Sequence, residues 1–549
     1  MKAYTHRLWA SHPGFHFLIL FLLITLVAAS CAPSTTPTPT SAPQPAEKPT
    51  ETQAPPTVPP KPAEKTTFRI AVGIDPDTLD PVASTTSTVM NMVEYVVQTL
   101  VRIDKEGNVQ PQLAESWEVS EDGLTVTFHL RKGVKFHDGT PFNAESAKFN
   151  IERMLDPDLR VPIRAPFTSI ESVEAVDEYT IRLHMKEPFP PLVSAFALTT
   201  AGMISPDSVE KYGNSYKNIV HPVGTGPYVF KERVKGDHIT VEKFADYWGE
   251  KPYYDVVKFQ IVPEAATRES LLLAGQVDLI ILPPASDLPA LKQNPDVEVL
   301  LAPSDRTIFI AINNRDPVLK DKRVRQALNY AVDKKAIIEK VLFGAGDIMD
   351  APMAPSLFGY CKVGEYPYDP EKAKALLKES GHETLELNFI APTGRYVQDF
   401  QAAQAISGYL EEVGVHAPVK TMDWPSYVAT ITAPPEKNTT QLHYLGWAPS
   451  YLDAAQQMIQ FLSTYAPPHG LETSFYKNEK VDELILKAKK ETNPEVRKQL
   501  YCEASKIVWD DAPWIFLWVQ RFPIVYSSKI TGVSYIPTEM FDAIYARPK

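Results

Sequence analysis

Cysteine is scarce in this 549-residue chain, which has only Cys31, Cys361 and Cys502. Without any C-x-x-C pair, neither a thiolate metal site nor a disulfide framework is expected. Basic excess is missing too. Lys and Arg total 55 against 67 Asp and Glu, a net charge of -12, which leaves no electrostatic footprint for nucleic acid. The amino-terminal apolar run, Phe15 to Val27, falls short of the roughly 20 residues that a membrane-spanning helix needs. Catalytic signatures are also lacking: there is no G-x-S-x-G elbow, no H-E-x-x-H helix and no phosphate-cradling P-loop. No enzyme, cofactor or metal site is therefore expected.

What is present is ordinary globular material, 44% hydrophobic and 22% charged, long enough for more than one core. Lys2 and Arg7 precede the apolar run and small residues follow it, the pattern of an export signal. Ala28-Ala29-Ser30-Cys31 resembles a bacterial lipobox, with Ala28 where Leu is usual. Residues 1–31 are thus read as a lipoprotein signal ending at the lipid-anchored Cys31, the alternative being a plain signal cut near Ala29. Residues 32–65 are read as a solvated tether, because eleven prolines lie between Pro33 and Lys65 and almost nothing there can enter a core. At about 3 Å per residue, such a tether holds a domain tens of Å from a membrane. Export permits Cys361 and Cys502 to bridge, but their spacing leaves the question open.

From Thr66 the pattern turns to structure. Phe68, Ile70 and Val72 alternate as a strand, and a hairpin is expected over Trp117 to Leu130, with His129 on its polar face. Asn143 is placed to cap a helix. Further along, strands such as Ile308 to Ile312 alternate with helices such as Ala402 to Val413 and Pro494 to Trp509, before the apolar strand Trp514 to Val519. The fold class is α/β with mixed sheets.

Several long motifs occur in order: Leu113-Ala114-Glu115-Ser116-Trp117, Val134-Lys135-Phe136-His137-Asp138-Gly139-Thr140-Pro141-Phe142, Gly224-Thr225-Gly226-Pro227-Tyr228 and Arg325-Gln326-Ala327-Leu328-Asn329-Tyr330-Ala331. With them the chain resembles the extracytoplasmic solute-binding proteins of peptide, nickel and related ABC importers, oligopeptide- and dipeptide-binding proteins among them. The resemblance implies a two-lobed periplasmic-binding-protein-like fold of the large peptide-binding class, hinged around an enclosed ligand. By that analogy residues 66–304 form a first lobe, 305–513 a second, and 514–549 return to the first.

The resemblance also implies a site. In peptide-binding relatives a Gly-Trp-x-x-Asp loop holds the ligand's terminal ammonium; here Gly446-Trp447 is followed by Ser450, a neutral hydroxyl, and then Tyr451. Asp453 is the nearest carboxylate, but Asp453-Ala454-Ala455-Gln456 has capping-box form and is expected to serve backbone N–H groups. Trp447 is read as a stacking wall for the ligand, the alternative being packing within the lobe. Arg395, beside Tyr396, matches a position that receives the ligand carboxylate in dipeptide binders, with a loop-fixing role as the alternative. Thr85, Thr86 and Ser87 fall where first-lobe backbone meets extended peptides, and Trp424 is a further cleft candidate. Gly224-Thr225-Gly226 leads into a strand and is read as a structural turn, and His129 and His137 as structural residues.

The expected function is that of a monomeric, lipid-anchored receptor outside the bacterial membrane, handing oligopeptides or peptide-like solutes to an ABC permease. An oligosaccharide or other uncharged solute is the alternative, and a cell-surface hydrolase is the alternative of another class. With serine at 450, the pocket is expected not to demand a free amine.

Overall fold

The computed structural model describes residues 65–84 and 86–549. The amino-terminal segment read from sequence as a signal, with Cys31, the proline-rich stretch up to residue 64, and Thr85 lie outside the described residues.

Thr67–Val72 is the strand its alternation predicts, with Phe68, Ile70 and Val72 buried together in one core. It sits fourth in a seven-stranded sheet, between the parallel strands Leu279–Ile281 and Val256–Ile261. His238–Lys243 and Tyr228–Val234 extend the sheet on one side, Phe522–Ser527 and Val297–Ala302 on the other. A second sheet of six strands runs in the order Gly346–Ile348, Trp514–Gln520, Thr307–Ile312, Leu442–Trp447, Phe389–Pro392 and Val419–Met422. The expected hairpin forms as Ala114–Val119 and Thr125–Leu130, part of a separate antiparallel sheet of four. Asn143 caps the helix Ala144–Leu155 reciprocally with Ser146.

All six residues of Thr307–Ile312 are buried, because helices cover both faces of the second sheet. Ile308, Ile310 and Ile312 enter one core with the helices Lys322–Tyr330 and Asp399–Glu412. Phe309 and Ala311 enter the opposite core with the helix Pro494–Asp511. A strand buried on both faces loses its polar alternation and reads as a continuous apolar run. Each fully buried Ile or Phe contributes roughly 1.5–3 kcal/mol.

One boundary moves. Trp514–Gln520, assigned from sequence to the return segment, stays in the second sheet between Thr307–Ile312 and Gly346–Ile348. The chain leaves that sheet at Arg521, and Phe522–Ser527 joins the seven-stranded one. Both strands are apolar and only Gln520-Arg521 separates them, so local pattern carries no signal of which sheet each joins. The return crossing lies against the outward one: Ser304 donates its hydroxyl to the Gln520 carbonyl at 2.5 Å, and the Gln520 amide donates to the Arg306 carbonyl at 2.8 Å.

The Gly224-Thr225-Gly226 segment packs backbone on backbone. A Cβ at Gly224 would stand 2.1 Å from the Val96 carbonyl oxygen, so only glycine fits. His137 Nε2 donates to the Gly226 carbonyl at 2.9 Å, and burial pushes the ring down to about 4, a neutral structural histidine. Cys361 and Cys502 are disulfide-bonded, tying the segment before Tyr366 to the helix Pro494–Asp511. No described helix is long and apolar enough to cross a membrane.

Candidate functional site

A cavity of about 840 Å³ is bordered by the crossing residues Asp305 and Arg306 and by the loop Leu445–Tyr451 that leaves the second sheet. The part of the chain carrying the seven-stranded sheet contributes residues between Ser87 and Thr99, Trp248, and the carboxyl-terminal Thr538 to Asp542. That volume lies within the range usual for small-molecule sites, about 300–1,000 Å³.

Of the residues singled out from sequence, Trp447, Ser450, Tyr451, Arg395, Tyr396, Trp424 and Ser87 all line this cavity. Thr86 does not; its hydroxyl accepts from the Val89 amide at 3.4 Å and caps the helix Ser87–Val93. Capping satisfies an orphan N–H that an early helical turn cannot pair by itself.

The Trp447 loop is held from behind. Trp447 Nε1 donates to the Gln456 carbonyl at 3.1 Å, and the Ser450 amide donates to Gln456 Oε1 at 2.7 Å. Tyr451 is buried and packs edge-on to Phe189 with ring centroids 6.2 Å apart, so it joins the loop to the core of the four-stranded sheet. Asp453 caps the following helix as expected, accepting from the Ala455 amide at 2.8 Å. It also takes both arms of the Arg497 guanidinium at 2.8 and 2.5 Å, a buried ion pair that no local pattern announces. Asp453 is thereby committed to the scaffold.

The loop carrying Arg395 is held by the Asp399 carboxylate, which accepts from the amides of Gly394, Arg395 and Tyr396 at 2.7 to 3.1 Å. The guanidinium is left over two aromatic faces, 5.2 Å from the Tyr396 ring centre and 5.1 Å from that of Trp424. Among the described residues it has no carboxylate partner within ion-pair distance. A planar, weakly hydrated cation on an aromatic shelf suits bidentate capture of a carboxylate.

Sequence reasoning missed the other charges. Arg306 is paired with Glu539 through bonds of 2.7 and 2.5 Å, and Gln520 adds a third at 3.1 Å. Burial alone would raise the Glu539 carboxyl, but Arg306 beside it holds it below the usual carboxylate range. Glu94 lines another part of the wall and accepts from the Thr199 hydroxyl at 2.9 Å. Burial pushes it up to about 8, against that hydrogen bond and with Asp542 adding to the rise. Asp305 lines the wall at 1% exposure, and burial, with Glu539 nearby, pushes its carboxyl well above the usual range. These charges come from three distant stretches of the chain, and nothing in their neighbours marks them. Among the described residues no group of three His, Cys, Asp or Glu is placed to hold a metal ion.

A family model described as bacterial extracellular solute-binding proteins, family 5, matches residues 108–468. The chain is 35% identical over 480 residues to the glutathione-binding protein GsiB of Pectobacterium atrosepticum, covering 86% of this chain and 92% of that one. Among solved structures, HbpA2 from Haemophilus parasuis superimposes with a TM-score of 0.79 at 26% identity, over 88% of this chain and all of that one. The periplasmic binding protein DppA from Helicobacter pylori in complex with the peptide STSA matches with a TM-score of 0.69 at 26% identity, over 87% and 96%.

Proposed function

Because the chain belongs to the family 5 bacterial extracellular solute-binding proteins, we propose that it captures short peptides or peptide-like solutes and delivers them to an ABC permease. Members of this family are binding proteins of importers. The observation that carries the ligand class is Arg395, a cavity cation with no protein carboxylate partner, resting on Tyr396 and Trp424. Arg395 is exposed at the cavity wall and feels Glu539 only at a distance, so a ligand carboxylate supplies the direct bidentate partner that a neutral sugar lacks. A cavity of about 840 Å³ is of small-molecule size, room for a short peptide rather than a long one. Relatives whose names state glutathione binding, or that hold a short peptide, agree with this size and class.

The paired crossings at Ser304–Arg306 and Gln520–Arg521 support a hinge between two lobes, one built on each large sheet. In this reading the ligand is enclosed by closure. Small-angle scattering is expected to show a more compact particle when tripeptides are added at saturation. An unchanged profile, with binding verified by calorimetry, would sink the hinge but not the ligand class; no binding of any tripeptide would sink the ligand class.

The protein is further proposed to act at the outer face of the cell membrane as a lipid-anchored monomer, on the support of the lipobox-like Ala28-Ala29-Ser30-Cys31 and the proline-rich tether. Cys31→Ala is expected to move the expressed protein from the membrane fraction and to leave the precursor unprocessed. Unchanged membrane association and processing would reject the anchor.

A further inference from the structure

Asp305 is an unusual carboxyl. It is 1% exposed, its Oδ1 has no hydrogen-bond partner among the described residues, and it stands on the cavity wall. The cation next to it in sequence does not answer it, because Arg306 spends both arms on Glu539. A buried polar group without a partner forfeits its hydration with nothing in return, so such a group in a folded protein calls for an explanation.

Its place in the fold supplies one. The ladder between Thr307–Ile312 and Leu442–Trp447 pairs Thr307 with Trp447 at this end. Asp305 thus lies two residues from that rung on one strand and Ser450 three residues from it on the other, both on the wall of the same cavity. The exchange at Ser450 alone predicts a pocket indifferent to a free amine; the neighbouring strand carries a carboxyl that the exchange does not touch. We propose that Asp305 holds the cationic amino group of the ligand, a role left open by serine at 450. The proposal rests on the peptide-type reading above and gives the ligand a polarity, amine at Asp305 and carboxylate at Arg395. Asp453 is engaged by Arg497 and Glu539 by Arg306. Glu94, which accepts from Thr199, and Asp542 and Glu250 also line the cavity, but they lie away from the Thr307–Trp447 rung in sequence, and Glu94→Gln and Asp542→Asn serve as controls expected to keep the preference for free amines.

A proton signature follows. Without a cationic ligand, burial favours the protonated acid, Glu539 reinforcing this and Arg306 opposing it. An ammonium favours the ionised form, so binding of an amine releases protons, and affinity for amines rises with pH as Asp305 ionises. Arg102, Arg306, Arg395, Glu94, Glu250 and Asp542 also face the cavity. Glu94, pushed up to about 8, adds to the release, so the Asp305 share is the difference between wild type and an Asp305→Asn variant. Asparagine matches the protonated acid in shape, and the variant is expected to melt within a few degrees of wild type.

The test is competition for the purified protein between a random tripeptide library and the same library N-acetylated, with the bound species read by mass spectrometry. Calorimetry of the best-bound tripeptide in two buffers of different ionisation enthalpy then counts protons. Wild type is expected to enrich free amines at least tenfold. Asp305→Asn is expected to bring that preference within twofold, to leave acetylated peptides within twofold of their wild-type affinity, and to release fewer protons. An unchanged preference in the variant, or an equal loss for both libraries, overturns the assignment while leaving the peptide reading intact. Failure of wild type to retain any peptide overturns the peptide reading and this assignment with it.

Discussion

Arg497→Met is expected to lower the unfolding free energy by about 3–5 kcal/mol, the cost of leaving a buried charge without its partner. Arg497 and Asp453 are 3% and 4% exposed and joined by two bonds of 2.8 and 2.5 Å. The ion pair joins the helix Pro494–Asp511 to the start of the helix Ala454–Met458, directly behind the loop that carries Trp447 and Ser450. Removing the arginine leaves the Asp453 carboxylate with the Ala455 amide alone. Asp453→Asn in the same chain removes the orphaned charge while keeping an acceptor for the cap, so the double variant is expected to recover much of the loss. Denaturant titrations of both variants, with the slope unchanged, measure this. A single-variant loss under about 1 kcal/mol would mean that the pair does not hold the loop. Ligand affinity is expected to fall with stability in Arg497→Met, because the loop walls the cavity.

Breaking the Cys361–Cys502 bridge is expected to cost about 3–5 kcal/mol without weakening ligand binding. The two residues are 141 apart in sequence, and chain-entropy estimates for a loop of that length reach about 5 kcal/mol. Both cysteines are partly exposed, so a reductant can reach them. Neither lines the cavity, which separates this effect from that of Arg497. Thermal unfolding with and without dithiothreitol, and of the Cys361→Ser/Cys502→Ser variant, is the measurement. An unchanged midpoint after a thiol count confirms full reduction would show that the bridge does not stabilise the fold, and a loss of affinity would show that it shapes the site.

Much of the fold was legible because secondary structure is announced by short-range periodicity. The alternation at Phe68, Ile70 and Val72 and the cap at Asn143 each depend on residues only a few positions apart. The site was half legible. Trp447, Arg395, Tyr396 and Trp424 were found through motifs, and all line the cavity. Thr86 proved a helix cap, since a threonine before a helix reads the same whether it faces a ligand or its own backbone.

By itself the sequence determined the α/β class and the family, and it singled out Trp447, Trp424 and Ser450, which the fold places on the cavity wall. Tertiary structure alone decided which charges meet. Arg306 and Glu539 are 233 residues apart, and Arg497 and Asp453 are 44 apart. Whether a carboxyl is neutralised, as at Glu539, or left without a partner, as at Asp305, depends on what the fold brings beside it. The return at Arg521 was likewise settled by which sheet edge an apolar strand could pair with, because the cores on either side accept the same kinds of side chain.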